Sequence, residues 1–392
     1  MNLPVLIVFS PTRWAGAMQR TRHLLARLAG RWQVVVVEEP VRGDGPPRLA
    51  ARQHGEHLQV LVPYAPDEQM SVVSGLLAAH FGRRAGPARV AWLGTPRALP
   101  LAAALEPACI VYDAARSYDG APLPLRQRER TAASRADVVL AAGPAGYEAW
   151  RRRHPCVHYM PGAVDALHFA PAALDADSAD ARAASHLQAA LPRPRLGLFG
   201  VIDERIDLAL VARLAAERPA WQFVLAGPVT GHAYANLPRR DNIHWLGAQP
   251  YSRLPHLLAG WDLALAPLAL GPAAASACPH EVLEYLAGEK PVVGTAAADL
   301  VSLYGHAVEV AADAPQFIDA CEHLLRESPA ARLQRTQTML AAVSTQTWER
   351  RADEVHAVLQ AALARRLRRE PRTARALAVA ATLASAPGAL QA

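Results

Sequence analysis

Cysteine is scarce in this chain, and its placement excludes several classes of protein. The four cysteines, Cys109, Cys156, Cys278 and Cys321, stand far apart in 392 residues and form no CxxC pair. They also lack the spacing of a thiolate zinc site. The pattern favours reduced thiols in a cytosolic protein, and no other metal-ligating cluster is visible in the sequence.

Apolar runs long enough to cross a membrane are also lacking, since a spanning helix needs about 20 such residues. Residues 4–9 form an apolar run that follows no basic segment, which argues against a secretory signal. With 52% hydrophobic residues, the chain is long enough to bury the cores of two domains.

Basic charge is in moderate excess and lies late in the chain. The net charge is +6, and much of it comes from residues 365–369, Arg372 and Arg375. This stretch suits either an anionic membrane surface, at roughly 1 kcal/mol per residue, or a solvated helix end. No aromatic-studded basic motif accompanies it, so nucleic-acid binding is disfavoured. We expect a cytoplasmic protein, with peripheral membrane contact as one use of the tail.

Short apolar runs alternate with amphipathic segments, which predicts a parallel α/β sheet. No GxGxxG motif follows the first run, which disfavours a dinucleotide-binding enzyme. In the N-terminal half we expect strands at residues 3–9, 33–37, 57–62, 89–93, 109–112, 137–141 and 156–159, and helices at 17–29, 69–83, 123–135 and 144–153.

The C-terminal half shows the pattern of a ligand site. Residues 262–266 predict a short strand, and a small-residue loop at 267–278 follows it. Pro279 is typical of a first helical turn, and Gly288 of a helix end. Such a loop lies at the carboxyl edge of a parallel sheet, where the N–H groups that open the next helix suit a diphosphate.

Arg205 is expected in the first turn of another helix of this half. A cation there opposes the helix dipole, which favours a functional role over that of a surface arginine.

The loop after the first strand carries Arg13, Trp14 and Arg20. Arginine forks suit phosphate and tryptophan suits a sugar ring, but surface arginines with a packing tryptophan are the alternative.

Several of these motifs together resemble a known family. Residues 279–293 contain Pro-His-Glu-Val-Leu-Glu followed by Gly-Glu-Lys-Pro-Val-Val, which is similar to the nucleotide-sugar site of family 4 GT-B glycosyltransferases. Residues 13–40 and 111–169, which end in Val-Asp-x-x-His-Phe, resemble a subgroup that builds teichuronic acid and other bacterial surface polysaccharides.

The resemblance implies an α/β fold of the GT-B type, in which two Rossmann-like parallel-sheet domains face each other across a cleft. The implied domains are residues 1–169 for the acceptor and residues 193–345 for the nucleotide sugar, joined by a linker at 170–192. A helix at 346–369 would cross back to the N-terminal domain, before a basic, alanine-rich tail at 370–392.

The implied activity moves a hexose from a nucleotide diphosphate donor to a lipid-linked or saccharide acceptor, with retention of configuration and without a metal or cofactor. Arg13, Trp14 and Arg20 would lie on the acceptor side. The residues implied to bind the nucleotide sugar are Gly200, Val201, Gly227, Pro228, Leu246, Gly247, His280, Val282, Leu283 and Glu284.

We expect the candidate catalytic residues to be Arg205, Asp113 and Glu281. Asp113 is the best carboxylate of the N-terminal half, with a strand-end hydrogen-bonding role as the alternative. Glu284 matches the family glutamate that holds the ribose hydroxyls, and a solvated helix residue is the alternative there.

The chain departs from the family pattern where the diphosphate would bind. Glu281 stands where the family has lysine, and like charges about 4 Å apart repel by roughly 4 kcal/mol at a surface-like dielectric. Ala15 and Arg116 replace acidic residues of the subgroup, and Ser276 replaces a glutamate.

Two hypotheses remain: an active sugar transferase, or a catalytically silent GT-B protein that binds a nucleotide or a partner transferase. Convergence of the arginines on the cleft would favour the first.

Overall fold

The computed structural model describes residues 3–15, 20–43, 45–66, 70–82, 88–116, 118–231, 237–271 and 279–384, with side chains as far as residue 368. The described residues form two α/β domains, each built on a mainly parallel sheet. Two buried apolar clusters per domain fill the two faces of its sheet. The predicted α/β class with two parallel-sheet domains is therefore confirmed.

The strands of the N-terminal domain are mostly valine- and leucine-rich runs buried on both faces. They are β1 (Val5–Ser10), β2 (Gln33–Glu38), β3 (Val41–Arg42), β4 (Arg48–Gln53), β5 (Leu58–Ala65), β6 (Arg89–Leu93), β7 (Cys109–Ala114), β8 (Val138–Ala141) and β9 (Val157–Tyr159). The sheet order is β3-β5-β2-β1-β6-β7-β8-β9, and β4 pairs antiparallel with β5. The strand order reverses on either side of β1, where open α/β sheets form a ligand crevice.

Helices cover both faces of this sheet. They are α1 (Arg20–Leu28), α2 (Met70–Phe81), α3 (Leu99–Ala104), α4 (Leu123–Arg135), α5 (Pro144–Arg151) and α6 (Ala166–Phe169). The seven strands predicted for this half are present. The edge strand β4 was not predicted because its sequence, Arg-Leu-Ala-Ala-Arg-Gln, is largely exposed and carries no apolar alternation.

The C-terminal domain repeats the design around a sheet of order β12-β11-β10-β13-β14-β15. Its strands are β10 (Arg195–Phe199), β11 (Gln222–Ala226), β12 (Ile243–Gly247), β13 (Leu263–Ala266), β14 (Val292–Thr295) and β15 (Glu309–Ala311). Its helices, with the long last one, are α7 (Ala179–Gln188), α8 (Leu208–Glu217), α9 (Leu254–Ala259), α10 (Glu281–Ala287), α11 (Ala298–Tyr304), α12 (Ala314–Leu325), α13 (Pro329–Val343) and α14 (Trp348–Ala384).

The segment 170–192, expected to be a linker, contains the capped helix α7. The Ser178 hydroxyl accepts a hydrogen bond from the backbone N–H of Ala181 at 3.0 Å and opens the helix. Gln188, at its other end, is buried and donates to the carbonyl of Leu257 on α9 at 3.3 Å. The composition alone suggested a flexible connection, but these contacts hold the segment on the C-terminal domain.

Helix α14 returns to the N-terminal domain. Trp348, Val355 and Leu359 are buried in the same cluster as residues of β1 and α1. Further along, Arg366 pairs with Asp137 of the N-terminal domain, and Arg365 Nη2 lies 3.3 Å from the Cys156 sulfur. Two arginines of the basic stretch are thus engaged with the protein itself.

Within the described part of the chain, no helix combines the length and the apolar composition that crossing a bilayer requires.

Candidate functional site

Three glycine turns form the floor of the site at the carboxyl edge of the C-terminal sheet. Gly200 has a φ of +123° and follows β10, and its N–H donates to the carbonyl of Ala226 at 3.1 Å. The N–H of Gly227 donates to the carbonyl of Gly247 at 2.8 Å. A Cβ on Gly227 would lie only 1.7 Å from the Gly200 carbonyl oxygen. The two turns at Gly200 and Gly227 are therefore packed too closely to hold side chains between them. Because they carry none, a ligand can approach the backbone at this edge of the sheet.

The floor of the site contains one carboxylate that is buried, Asp203.

 The Asp203 side chain is 2% exposed, and its two oxygens accept from Arg205 Nε at 2.8 and 3.0 Å. Arg116 reaches the same carboxylate from the N-terminal domain, with Nη2 at 3.7 Å from Oδ2. Two guanidinium groups from facing domains thus converge on one carboxylate. A buried carboxylate needs such cationic partners, because burial without them is costly.

Arg205 does not lie in the first turn of a helix, so that prediction was wrong. Helix α8 begins at Leu208, and the Asp207 carboxylate accepts from the N–H of Leu210 at 2.8 Å as its N-cap. The cap places the helix start after Arg205, which leaves Arg205 in the preceding turn. The unfavourable interaction with the helix dipole is therefore relieved by position and by the pairing with Asp203.

Glu281 occupies the space above Gly200. A Cβ on Gly200 would lie 2.7 Å from Glu281 Oε1, and His280 Nδ1 lies 3.5 Å from Glu281 Oε2. Burial lowers the pKa of Arg205, but the hydrogen bond and charge of Asp203 and the charge of Glu281 outweigh it and raise that pKa. Glu281 is therefore close enough to Arg205 to offset part of its positive charge.

The crevice between these groups is small. It has a volume of about 40 Å³ and is lined by side chains that include Val201, Arg205, Glu281, Val282 and Tyr285. That volume suits a few water molecules, whereas pockets for small-molecule ligands usually have several hundred Å³. A diphosphate does not fit in that volume, and Glu281 is one of the side chains that bound it.

Any cation at this edge must be an arginine or a histidine. Lys290 is the only lysine in the sequence. Its ammonium donates to the carbonyls of Ala259 and Trp261, at 3.1 and 2.9 Å, at the opposite edge of the sheet. The family pattern has a lysine three residues before Glu284. This chain has no lysine at the site that could supply that positive charge.

Glu284 faces inward from α10 and is 5% exposed. Burial, and then the charge of Glu281, raise the pKa of Glu284 well above the usual value for a glutamate. Tyr251, in the turn before α9, has its hydroxyl beside this carboxylate, and burial and Glu284 raise the pKa of that hydroxyl. Glu284 is thus not a solvated helix residue.

The other residues of the predicted nucleotide site support its walls. Val282 and Leu283 are each 1% exposed and belong to the core under α10. Leu246 packs against the same core at the end of β12. The Pro228 carbonyl accepts from the N–H of Ile202 at 3.0 Å and so holds the turn after β11 to the turn after β10.

Arg13 and Trp14 lie on the N-terminal domain, beside the end of β2. Arg13 Nη1 donates to Glu38 Oε2 at 3.0 Å, and the N–H of Trp14 donates to the other oxygen of Glu38 at 2.6 Å. The Trp14 ring contacts Arg22 and His54, with Arg22 Cζ 5.3 Å from the ring centroid. These two residues do not join the Asp203 group.

Arg20 and Asp113 form a buried pair at the crevice beside β1. Arg20 Nη1 donates to both oxygens of Asp113, at 2.7 and 2.8 Å. Trp92 Nε1 donates to Asp113 Oδ2 at 3.2 Å. Asp113 is thus hydrogen-bonded from two sides. Of the four arginines considered, Arg116 and Arg205 meet at Asp203, whereas Arg13 and Arg20 pair with Glu38 and Asp113.

Sequence reasoning missed two site residues, Asp203 and Tyr251. Asp203 stands between the turn at Gly200 and Arg205 in the sequence, and this position could have indicated it. Tyr251 carried no signal beyond its place before a helix.

The loop at 272–278, with Ser276 and Cys278, lies outside the described residues.

Residues 196–327 match the model of a family described as glycosyl transferases group 1. This range contains the glycine turns, Asp203, Arg205, Tyr251 and the whole of α10. Over this range the C-terminal domain is similar to the group 1 glycosyl transferases. The predicted nucleotide-sugar residues all fall within the matched range.

A curated relative supports the assignment over part of the chain. A putative teichuronic acid biosynthesis glycosyltransferase of Bacillus subtilis (strain 168) is 30% identical over 139 residues. The match covers 34% of this chain and 35% of the relative, so it spans about a third of that protein.

Solved structures match nearly the whole chain. A sucrose-phosphate synthase from Thermosynechococcus elongatus has a TM-score of 0.71 at 16% identity, over 92% of this chain and 99% of the other. Anabaena HepE, solved in complex with UDP and glucose, has a TM-score of 0.70 at 12% identity, over 91% and 100%. A trehalose 6-phosphate synthase from Burkholderia multivorans scores 0.67 at 15% identity, over 100% of both chains. The predicted GT-B fold is confirmed.

Proposed function

We propose that this protein is a glycosyltransferase that moves a sugar from a nucleotide diphosphate donor to a lipid-linked or saccharide acceptor in bacterial surface polysaccharide synthesis. The observation that carries the proposal is the meeting of Arg205 and Arg116, from facing domains, at the carboxyl edge of the C-terminal sheet. The names of the Bacillus relative and of the Anabaena complex with UDP and glucose support the donor and polysaccharide classes.

In this proposal the donor lies on the C-terminal domain, with its ribose at Glu284 and its diphosphate near Gly200 and Arg205. The bond from the sugar to the diphosphate breaks, and the leaving diphosphate gains negative charge. Arg205, held in place by Asp203, stabilises that charge without reorganising during the reaction. Retention of configuration and independence of metal are part of the proposal.

The acceptor lies on the N-terminal domain, and Arg116 enters the cleft from that side. Membrane contact, which would bring a lipid-linked acceptor to the cleft, would use the basic stretch of α14. Because Arg365 and Arg366 are engaged with the N-terminal domain, membrane contact would be made by exposed residues such as Leu367 and Arg368.

Nucleotide binding tests the proposal directly. We expect UDP or GDP, or one of UDP-glucose, UDP-galactose and GDP-mannose, to raise the melting temperature of the purified protein. A ligand at 100 times its Kd stabilises the folded state by about 2.7 kcal/mol. Glu284→Ala should abolish the shift. A protein that melts cooperatively and responds to none of the five would refute the proposal.

A catalytically silent GT-B protein is the second candidate, and Glu281 favours it. Its carboxylate lies over Gly200, in the crevice that a diphosphate would need, and next to the arginine that should bind that diphosphate. Such a protein would bind a partner transferase, or bind a nucleotide weakly, and would not turn over.

Glu281→Lys is expected to tighten binding of the nucleoside diphosphate by about tenfold to a hundredfold. The change removes a repulsion of roughly 4 kcal/mol at 4 Å, and a longer separation and solvent reduce the net gain. Isothermal titration calorimetry measures it, and Glu281→Gln should give a smaller gain in the same direction.

Glu309→Lys provides the matched control, because Glu309 is exposed on β15 and the overall charge change is the same. Its affinity should stay close to that of the parent protein. Weaker binding by Glu281→Lys would show that the carboxylate itself contacts the ligand.

A further inference from the structure

A second cavity of the C-terminal domain lies at the opposite edge of the sheet, where β10, β13 and β14 begin. We call it the rear cavity, and its basic side is lined by Arg193, Lys290, Arg332 and Arg335. Its volume is about 460 Å³, which is within the range of pockets that hold small molecules, whereas the crevice beside Arg205 has about 40 Å³. The strand β10 runs between the two and separates them by roughly 15 Å. The rear cavity is therefore separate from the candidate donor site.

Two of the four cations that line the rear cavity are paired with carboxylates. Arg193 pairs with Asp262, whose Oδ2 also accepts from the backbone N–H of Arg195 at 2.7 Å. Arg335 Nε donates to both oxygens of Glu327, at 3.1 Å each, and the Glu327 side chain is 6% exposed. These pairs hold two guanidinium groups in place at the cavity wall and nearly cancel their charge.

The other two cations, Lys290 and Arg332, leave the basic side with an excess of positive charge. The Lys290 ammonium donates to two backbone carbonyls and has a third N–H to offer. Arg332 is exposed, and no carboxylate pairs with it in the described part of the chain. Burial lowers the pKa of Lys290; the charge of Asp262 opposes that effect, and the charges of Arg193 and Arg332 add to it. The cations are thus close enough to repel one another, and an anion between them would relieve the repulsion.

The rest of the wall offers apolar surface and groups that suit hydroxyls. Phe169 and Leu174 contribute apolar surface from the segment that enters the C-terminal domain. Glu289 is exposed in the turn after α10, and Thr336 lies one turn after Arg332 on α13. A carboxylate accepts from hydroxyl groups, and a threonine hydroxyl both donates and accepts. A molecule with one anionic end and several hydroxyls would therefore match both sides of the cavity.

We propose that the rear cavity binds a small phosphorylated polyol, such as a sugar phosphate, with the phosphate between Lys290 and Arg332 and the hydroxyls towards Glu289. A phosphate ester carries about −1.5 to −2 charge at neutral pH and three acceptor oxygens, so it can engage both cations, the lysine as a point charge and the arginine as a fork. The inference goes beyond the proposed function, because this ligand occupies neither the donor nor the acceptor position.

Calorimetry on the full chain with glucose 1-phosphate, inorganic phosphate and glucose tests the site. We expect glucose 1-phosphate to bind most tightly, inorganic phosphate to bind more weakly, and glucose not to bind. Arg332→Ala should weaken binding of glucose 1-phosphate by about tenfold or more, the effect of losing a hydrogen bond to a charged group. Because Arg332 is exposed, this variant should keep the stability of the parent protein.

Two further variants locate the bound phosphate. Arg205→Ala, at the candidate donor site, and Arg151→Ala, which removes an exposed arginine of α5, should bind glucose 1-phosphate as the parent does. Binding that is lost in Arg205→Ala but unchanged in Arg332→Ala would overturn the inference, because the phosphate would then lie at the donor site.

The absence of binding by either phosphate at about 10 mM would also overturn the inference, since a site with a Kd of about 1 mM is then nearly saturated. None of these probes carries a nucleoside. Such a result therefore leaves the proposed function intact, and that function can fail in its own nucleotide test while the rear cavity still binds.

Discussion

Replacing Arg205 with alanine is expected to lower kcat/KM by about a hundredfold to a thousandfold, the effect of removing one preorganised group that stabilises a developing negative charge. Arg205 contributes the guanidinium nearest to the floor of the site, and Asp203 holds it through two hydrogen bonds. The readout is release of the nucleoside diphosphate from whichever donor the melting screen identifies. Activity within threefold of the parent would contradict the role.

The stability of this variant needs separate control, because the buried Asp203 carboxylate keeps the backbone N–H of residue 205 at 3.0 Å and Arg116 at 3.7 Å but loses the guanidinium of Arg205. Adding Asp203→Asn removes that charge and should restore much of the stability without restoring activity. Arg213→Ala is the matched control on α8. Arg213 is exposed, pairs with Glu217 one turn away, and should change neither activity nor stability by much.

Arg20→Met is expected to destabilise the N-terminal domain by about 3–5 kcal/mol, since it leaves the charge of Asp113 buried and unpaired. The side chains of Arg20 and Asp113 are 10% and 3% exposed, and among the residues that the structure describes Trp92 would remain as a donor to the carboxylate. Urea unfolding followed by tryptophan fluorescence measures the loss.

Two further variants make this expectation specific. Replacing both partners, Arg20→Met with Asp113→Leu, should recover most of the lost stability, because no lone charge remains. Arg31→Met breaks a pair that is exposed on both sides, 46% for Arg31 and 62% for Asp353, and should cost less than about 1 kcal/mol. A loss for Arg20→Met no larger than that for Arg31→Met would contradict a structural pair. The acceptor-side role of Arg20 stays a prediction.

The strands could be predicted from the sequence because each is a short apolar run bounded by turn residues, as in residues 33–38 and 89–93. Edge strand β4 and helix α7 could not, because each is held by contacts with neighbouring elements and has little apolar pattern of its own. The start of α8 was misjudged because a single capping residue, Asp207, decides it.

For the site, the family motif predicted that Glu284 and the glycine turns belong together. The structure has the turns at the ends of β10, β11 and β12 and Glu284 on α10 of the same domain, and their role in binding stays a prediction. It did not indicate how Glu281 would sit. That depended on the space above Gly200, which is open only because the residue there has no side chain.

By itself, the sequence determined the α/β class and the order of most strands and helices, because these follow from local apolar patterns and turn residues. Only the tertiary structure decided which charges and hydroxyls meet. Arg116 and Asp203 come from different domains, and Tyr251 and Glu284 come from different elements of one sheet edge. These residues meet because of how the elements and domains pack. A buried charge or hydroxyl is stabilised by a partner close in space, however far apart the two residues lie along the chain.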